Sequence, residues 1–158
     1  MLVNEINSKK IQKSLFKRIL VPFDDSDLAT RAFWYAINMN FNNETEILLL
    51  SVIHSDLMSS SFLEFNTHQT VLEQNKLKKI KLKHMKLKKI ASESQIPCKS
   101  ILIASSLVTQ SIISQIYASK SDLVIMGTRG NGNDRKLMLG SVSLEISQNS
   151  PVPVLLIK

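Results

Sequence analysis

The chain has 158 residues, 44% hydrophobic and 21% charged, with a formal net charge of +7. That length and balance fit one soluble globular domain with its own core. The single cysteine, Cys98, excludes an internal disulfide framework, and no run approaches the ~18 apolar residues of a helical membrane span. The first ten residues lack the apolar stretch of a secretory signal, so a cytoplasmic location is expected.

In chain order, residues 1–16 read as an extension and residues 17–158 as one domain. Arg18–Phe23 is a short apolar run without alternation, the pattern of a strand buried on both faces. It ends in Asp24-Asp25-Ser26, where Ser26 or Asp25 can cap a helix over roughly Leu28–Met39. Ala29, Ala32, Phe33, Ala36 and Ile37 fall on the core face of that helix. Asn42-Asn43 mark a turn, and Thr45–Ile53 is the second strand. Residues 54–70 form the longest loop, in which His54 and His68 have no metal-ligand spacing with His84.

A lysine-rich helix covers about 71–94, and Lys99–Ala104 is the third strand. Cys98 is expected as a small half-buried residue at that strand's start. Val108–Ala118 is a helix with Ile112, Ile113, Ile116 and Tyr117 as its core face. Leu123–Met126, Ser141–Gln148 and Pro151–Ile157 complete the pattern as strand, helix and strand. Such alternation predicts an α/β fold, a doubly wound five-stranded parallel sheet with helices on both faces, Rossmann-like. Ligands of such sheets sit at the strand carboxyl ends where the winding reverses.

All four glycines lie within Gly127–Gly140. Glycine is needed where φ is positive or where a group approaches the main chain closely. The segment is framed by an apolar strand and by Ser141-Val-Ser143, a helix start. Strand, glycine loop and helix N-terminus together form a phosphate-holding arrangement. Arg129, Arg135 and Lys136 add positive charge, whereas Asp134 opposes it unless it faces a metal. Pro22-Phe23-Asp24 lies at another strand end, as the facing wall of one crevice.

Gly127-x2-Gly130-x9-Gly140-Ser141 resembles the nucleotide-binding signature of the universal stress proteins. Lys17–Asp24, Leu48–Val52, Leu139–Ser143 and Pro151–Ile157 resemble that family's first strand, second strand, last helix entry and last strand. The resemblance implies the adenine-nucleotide alpha hydrolase-like fold. It also implies binding of ATP or another adenine nucleotide, with Mg²⁺, and a homodimer through Val152–Ile157. Carried over, Asp24 faces the adenine and ribose side, Val52 offers its backbone to adenine, and Met126 and Gly127 line the ribose. Gly130, Gly140, Ser141 and Ser143 surround the phosphates, with the two serine hydroxyls as donors. Pro22, Phe23, Arg129 and Val142 complete the set. Two positions depart from the family pattern: Asp25 stands where glycine is common, and Ala104-Ser-Ser106 replaces a turn that usually carries glycine.

Between Lys76 and Lys89 stand eight lysines in fourteen residues. Leu77, Ile80, Leu87 and Ile90 form an apolar stripe from which Leu82 and Met85 depart. This helix is a solvated face or a contact surface for an acidic partner such as nucleic acid, an acidic protein or an anionic membrane. The leading functional expectation is a regulatory, stress-response ATP-binding homodimer. The alternatives are a slow ATP hydrolase or phosphoryl-transfer enzyme, and an anion or nucleic-acid interaction module through the lysine helix. Against the enzyme stand the lack of a P-loop Gly-Lys-Ser/Thr and of an identifiable base.

Overall fold

The computed structural model describes residues 15–39, 44–53, 71–130 and 139–158. The chain runs β1 (Arg18–Pro22), α1 (Asp27–Asn38), β2 (Glu46–Ile53), α2 (Val71–Glu93), β3 (Cys98–Ala104), α3 (Val108–Ser119), β4 (Leu123–Gly127), α4 (Ser141–Asn149) and β5 (Val154–Ile157). All strands are parallel, in the order β3-β2-β1-β4-β5. This is the doubly wound α/β architecture expected from the alternation of elements. His54, His68, Gly132, Asp134, Arg135 and Lys136 lie outside the described residues, as does nearly all of the N-terminal extension.

The apolar runs explain the layers. Successive side chains of a strand point to opposite faces. Ile19, Val21, Ile47, Leu49, Leu123 and Ile125 pack with α1 and with Leu87 and Ala91 of α2. Leu20, Leu48, Leu50, Val124 and Met126 pack on the other face with Ile112 and Ile116 of α3 and Ile146 of α4. Winding reverses between β1 and β4, which pair only through Ile19↔Leu123 and Leu20↔Val124. Beyond that short ladder the two strands diverge, and a crevice opens at their carboxyl ends.

Three elements differ from expectation. Tyr117, assigned to the core face of α3, is 65% exposed, and the buried residues there are Thr109, Ile112 and Ile116. Ile116 follows Ile112 by one helical turn, and Tyr117 lies a further ~100° around the axis. The paired part of β5 starts at Val154, because Pro151 and Pro153 have no N–H to give a ladder. The Pro153 carbonyl still accepts from Val124 N at 3.0 Å. The α2 stripe is Ile80, His84, Leu87 and Ala91, with Leu77 and Ile90 only partly buried.

Candidate functional site: a crevice at the strand ends

A cavity of about 700 Å³ occupies the reversal point, within the range typical of small-molecule sites. All twelve residues singled out from the sequence line it: Pro22, Phe23, Asp24, Val52, Met126, Gly127, Arg129, Gly130, Gly140, Ser141, Val142 and Ser143. Ser26, Ala29, Leu50, Val108 and Ile112 line it too. Sequence reasoning missed these five as wall residues: Ser26 reads as a helix cap, and for the other four a core-facing residue and a pocket wall share one hydrophobic signal. Leu50, Val52, Val108, Ile112 and Met126 make one part of the cavity apolar. Arg129, the three glycines and the first turn of α4 make another part polar.

The β1–α1 turn is built by short polar contacts. Ser26, not Asp25, caps α1: its Oγ accepts from Ala29 N at 3.1 Å. Asp24 Oδ1 in turn accepts from Ser26 N at 3.1 Å. The opposite wall presses close to this carboxylate. A β-carbon at Gly130 would stand 2.2 Å from Asp24 Oδ2. At Gly127 it would stand 2.8 Å from Leu28 Cβ and 3.1 Å from the Leu28 carbonyl carbon. None of the described glycines has positive φ, so these two are required by close approach and not by backbone handedness. Gly140 is different. A β-carbon there meets Thr128 O, Arg129 Cα and Ser143 Oγ at 3.5 to 3.6 Å, ordinary van der Waals contact.

Gly140 is the N-cap of α4 and offers no side chain to it. The N–H groups of the first helical turn therefore have no intrahelical acceptor, and the positive end of the helix faces the cavity. Ser141 is exposed there, whereas Ser143 is buried. Its one hydroxyl proton is shared between Thr128 O (2.7 Å) and Gly140 O (2.9 Å). In this arrangement the Ser143 proton holds the glycine segment against the helix, and Ser141 is the exposed hydroxyl of the pair.

Val52 owes its availability to register. A strand residue's N–H and C=O point to the same side, and sides alternate along the strand. Leu50 O accepts from Phe23 N, toward β1, while Ile53 O accepts from Ser105 N, toward β3. Val52 therefore directs its backbone toward β1, one step past the last register pair, Pro22↔Leu50. A donor and an acceptor lie side by side at the cavity wall.

Asp25 explains one departure from the family pattern. Its φ is 67°, the left-handed region where glycine is the default and aspartate is tolerated. The carboxylate turns toward α2, with Lys79 Nζ at 2.7 Å from Oδ2. Lys83 Nζ is 3.2 Å from Oδ1, an ion-pair contact without a hydrogen bond. Burial alone raises this carboxyl, but the two lysines together outweigh it and hold the pKa below its ordinary value. In the second departure, Ser105 Oγ accepts from Leu107 N at 3.0 Å and shapes the turn before α3. Residues 104–106 do not line the cavity.

Behind Phe23 lies a buried polar chain. Ser51 Oγ donates to Phe23 O, so it accepts from His84 Nε2 at 2.9 Å. The proton is then on Nε2, and Nδ1 accepts from the Ser100 hydroxyl at 2.6 Å. The His84 ring meets Phe23 edge-on at 5.6 Å. Burial, helped by Lys88, lowers the imidazole pKa to about 4. His84 is thus a neutral strut linking β3, β2 and the cavity rim. Burial also raises the Cys98 thiol to about 11, which keeps it unreactive. Among the described residues, no three His, Cys, Asp or Glu side chains converge as a metal site.

The sequence matches the profile of the Universal stress protein family over residues 15–158. The chain belongs to the universal stress protein family. It is 28% identical over 149 residues to the universal stress protein in the QAH/OAS sulfhydrylase 3′ region of Thermus aquaticus, covering 91% of this chain and all of that one. Its fold is similar to universal stress protein UspA from Lactobacillus plantarum, with a TM-score of 0.74, 19% identity, and coverage of 90% and 97%. It is also similar to a universal stress protein family member from Arabidopsis thaliana solved with AMP bound, with a TM-score of 0.59, 18% identity, and coverage of 90% and 91%. No helix among the described residues is long and apolar enough to cross a membrane.

Proposed function

We propose that this protein is an adenine-nucleotide receptor of the stress-response type, binding ATP or a related adenine nucleotide and acting as a homodimer. The single observation that carries the reading is the division of one cavity into an apolar end and an amide-rich, cationic end. A nucleotide has the same division. The base lies among Leu50, Val52, Val108, Ile112 and Met126, with its polar edge on the Val52 backbone. Asp24 takes the ribose hydroxyls. The phosphates lie by Arg129, Gly130 and the N–H groups at the tip of α4, where fixed dipoles favour an anion.

Gly140 supports this reading. The protein's own packing leaves room for a β-carbon there, so the space that glycine keeps open is space in the cavity. A magnesium ion would enter with the phosphates, and the exposed Ser141 hydroxyl is the group beside them able to reach it. The adenine nucleotide on the Arabidopsis relative is in keeping with the same ligand class.

The homodimer rests on β5. It is an edge strand of partly exposed apolar residues, Val154 to Leu156, and such an edge invites pairing with a second copy. A Val154→Lys variant is expected to be monomeric by light scattering; an unchanged dimer contradicts that assignment. For the nucleotide, calorimetric titration with ATP, ADP, AMP and cyclic AMP, with and without Mg²⁺, is the test. Micromolar binding, about −8 kcal/mol, without phosphate release over hours supports a receptor. Turnover that Asp24→Ala abolishes while binding persists makes it an enzyme instead.

A further inference from the structure

Helix α2 carries eight lysines and two glutamates, a net +6 of the whole chain's +7. Lys79 and Lys83 turn inward to Asp25, and Lys89 approaches Glu93 at 3.9 Å. Lys78, Lys81 and Lys86 are exposed and pair with no acid among the described residues. Opposite the buried stripe of Ile80, His84, Leu87 and Ala91, the helix presents Lys78, Leu82, Met85 and Lys89. Their spacing of four, three and four residues places them on one outward line. Leu82 is 51% exposed and Met85 67%. This basic helix face therefore has two apolar side chains at its centre.

We propose that this outward face of α2 docks on an anionic lipid surface. The lysines meet headgroup phosphates, and Leu82 and Met85 enter the interfacial layer beneath them. Lysine stems lie along the apolar residues and extend their ammonium groups outward. Two other polyanions fit less well. A nucleic acid would set Leu82 and Met85 against phosphate, and α2 has neither arginine nor an aromatic residue for base contact or stacking. The core of a protein interface is depleted in lysine, which here surrounds the apolar pair on every side. A lipid leaflet alone places charge outside and hydrocarbon just behind it. The helix docks without unfolding, because its other face stays on the sheet. Nothing in this inference depends on what the cavity binds.

The test is sedimentation of the full chain with phosphatidylcholine vesicles, with and without phosphatidylserine. Binding is expected only with phosphatidylserine and weakens with salt. The exposed triple change K78Q/K81Q/K86Q weakens it about 100-fold, at about five-fold per charge. L82S/M85S weakens it about ten-fold and leaves the salt dependence unchanged. The proposal is overturned by no binding to phosphatidylserine vesicles, by equal binding to neutral ones, or by indifference to both variants. Tighter binding of single-stranded RNA or duplex DNA than of vesicles, insensitive to L82S/M85S, also overturns it and assigns the face to a nucleic acid.

Discussion

Gly130→Ala separates the fold from the site. The added β-carbon would stand 2.2 Å from Asp24 Oδ2, so recovering ordinary contact at 3.4 Å requires the carboxylate to retreat by 1.2 Å. The nearest obstruction is a side-chain terminus and not backbone, so the chain yields there without disturbing the sheet. Turning Asp24 away breaks its 3.1 Å bond from Ser26 N. A partly exposed bond of this kind contributes about 1 kcal/mol, which lowers the melting temperature by about 3 °C for a domain of this size. On the proposed reading nucleotide binding suffers more, because Asp24 leaves the position from which it would accept the ribose hydroxyls. A lost hydrogen bond to a charged group is worth about 2 kcal/mol, or about 30-fold in Kd. Calorimetry on Gly130→Ala, Asp24→Ala and the double variant completes a cycle. Once Asp24 is gone the alanine has nothing to displace, so the double variant should bind no worse than Asp24→Ala alone. Additive losses, or a Gly130→Ala variant with unaltered affinity, would refute the reasoning.

Three further outcomes follow from the same structure. Unfolded His84 takes up a proton below pH 6.5, but the buried ring does so only near 4; stability is therefore lost as pH falls through that window, by about 3 kcal/mol. Urea midpoints at pH 7 and 4.5 should show that loss in the native chain and not in His84→Gln; equal slopes in both would count against a buried neutral imidazole. Asp25→Ala loses the lysine pair and keeps a left-handed backbone, whereas Asp25→Gly loses the pair but relaxes the backbone. Glycine should therefore be the more stable variant by about 1 kcal/mol in chemical denaturation, and the reverse order would contradict the assigned φ. Gly140→Ala should cost less than about 1 kcal/mol of stability yet weaken nucleotide binding several-fold by titration. A large loss of stability with unchanged affinity would reverse the roles given to that residue.

The sheet was legible because β1, β2 and β4 are apolar on both faces, the pattern that burial between two helical layers produces. The cavity was legible at its rims, where glycines and a short Pro-Phe-Asp segment punctuate strand ends. Its apolar wall was not, because Leu50, Val108 and Ile112 read as core, and nothing local marks a core residue that borders empty space. Asp25 drew notice as a missing glycine and as a possible helix cap. That it adopts the same backbone handedness and is held by Lys79 and Lys83 depends on a helix far along the chain. Ser51, His84 and Ser100 were equally silent, since their bond chain crosses three elements. Tyr117 failed for a simpler reason: in a short helix with apolar residues at successive positions, small errors in the assumed face exchange a buried residue for an exposed one.

The most direct test of the central claim is the amide spectrum of uniformly ¹⁵N-labelled protein as Mg²⁺ and ATP, and then AMP, are added. The N–H groups of Val52, Gly130, Gly140, Ser141 and Val142 should shift together and saturably, while Arg18 and Lys99 at the opposite end of the sheet stay in place. A spectrum in which those five amides do not move with any adenine nucleotide would contradict the account.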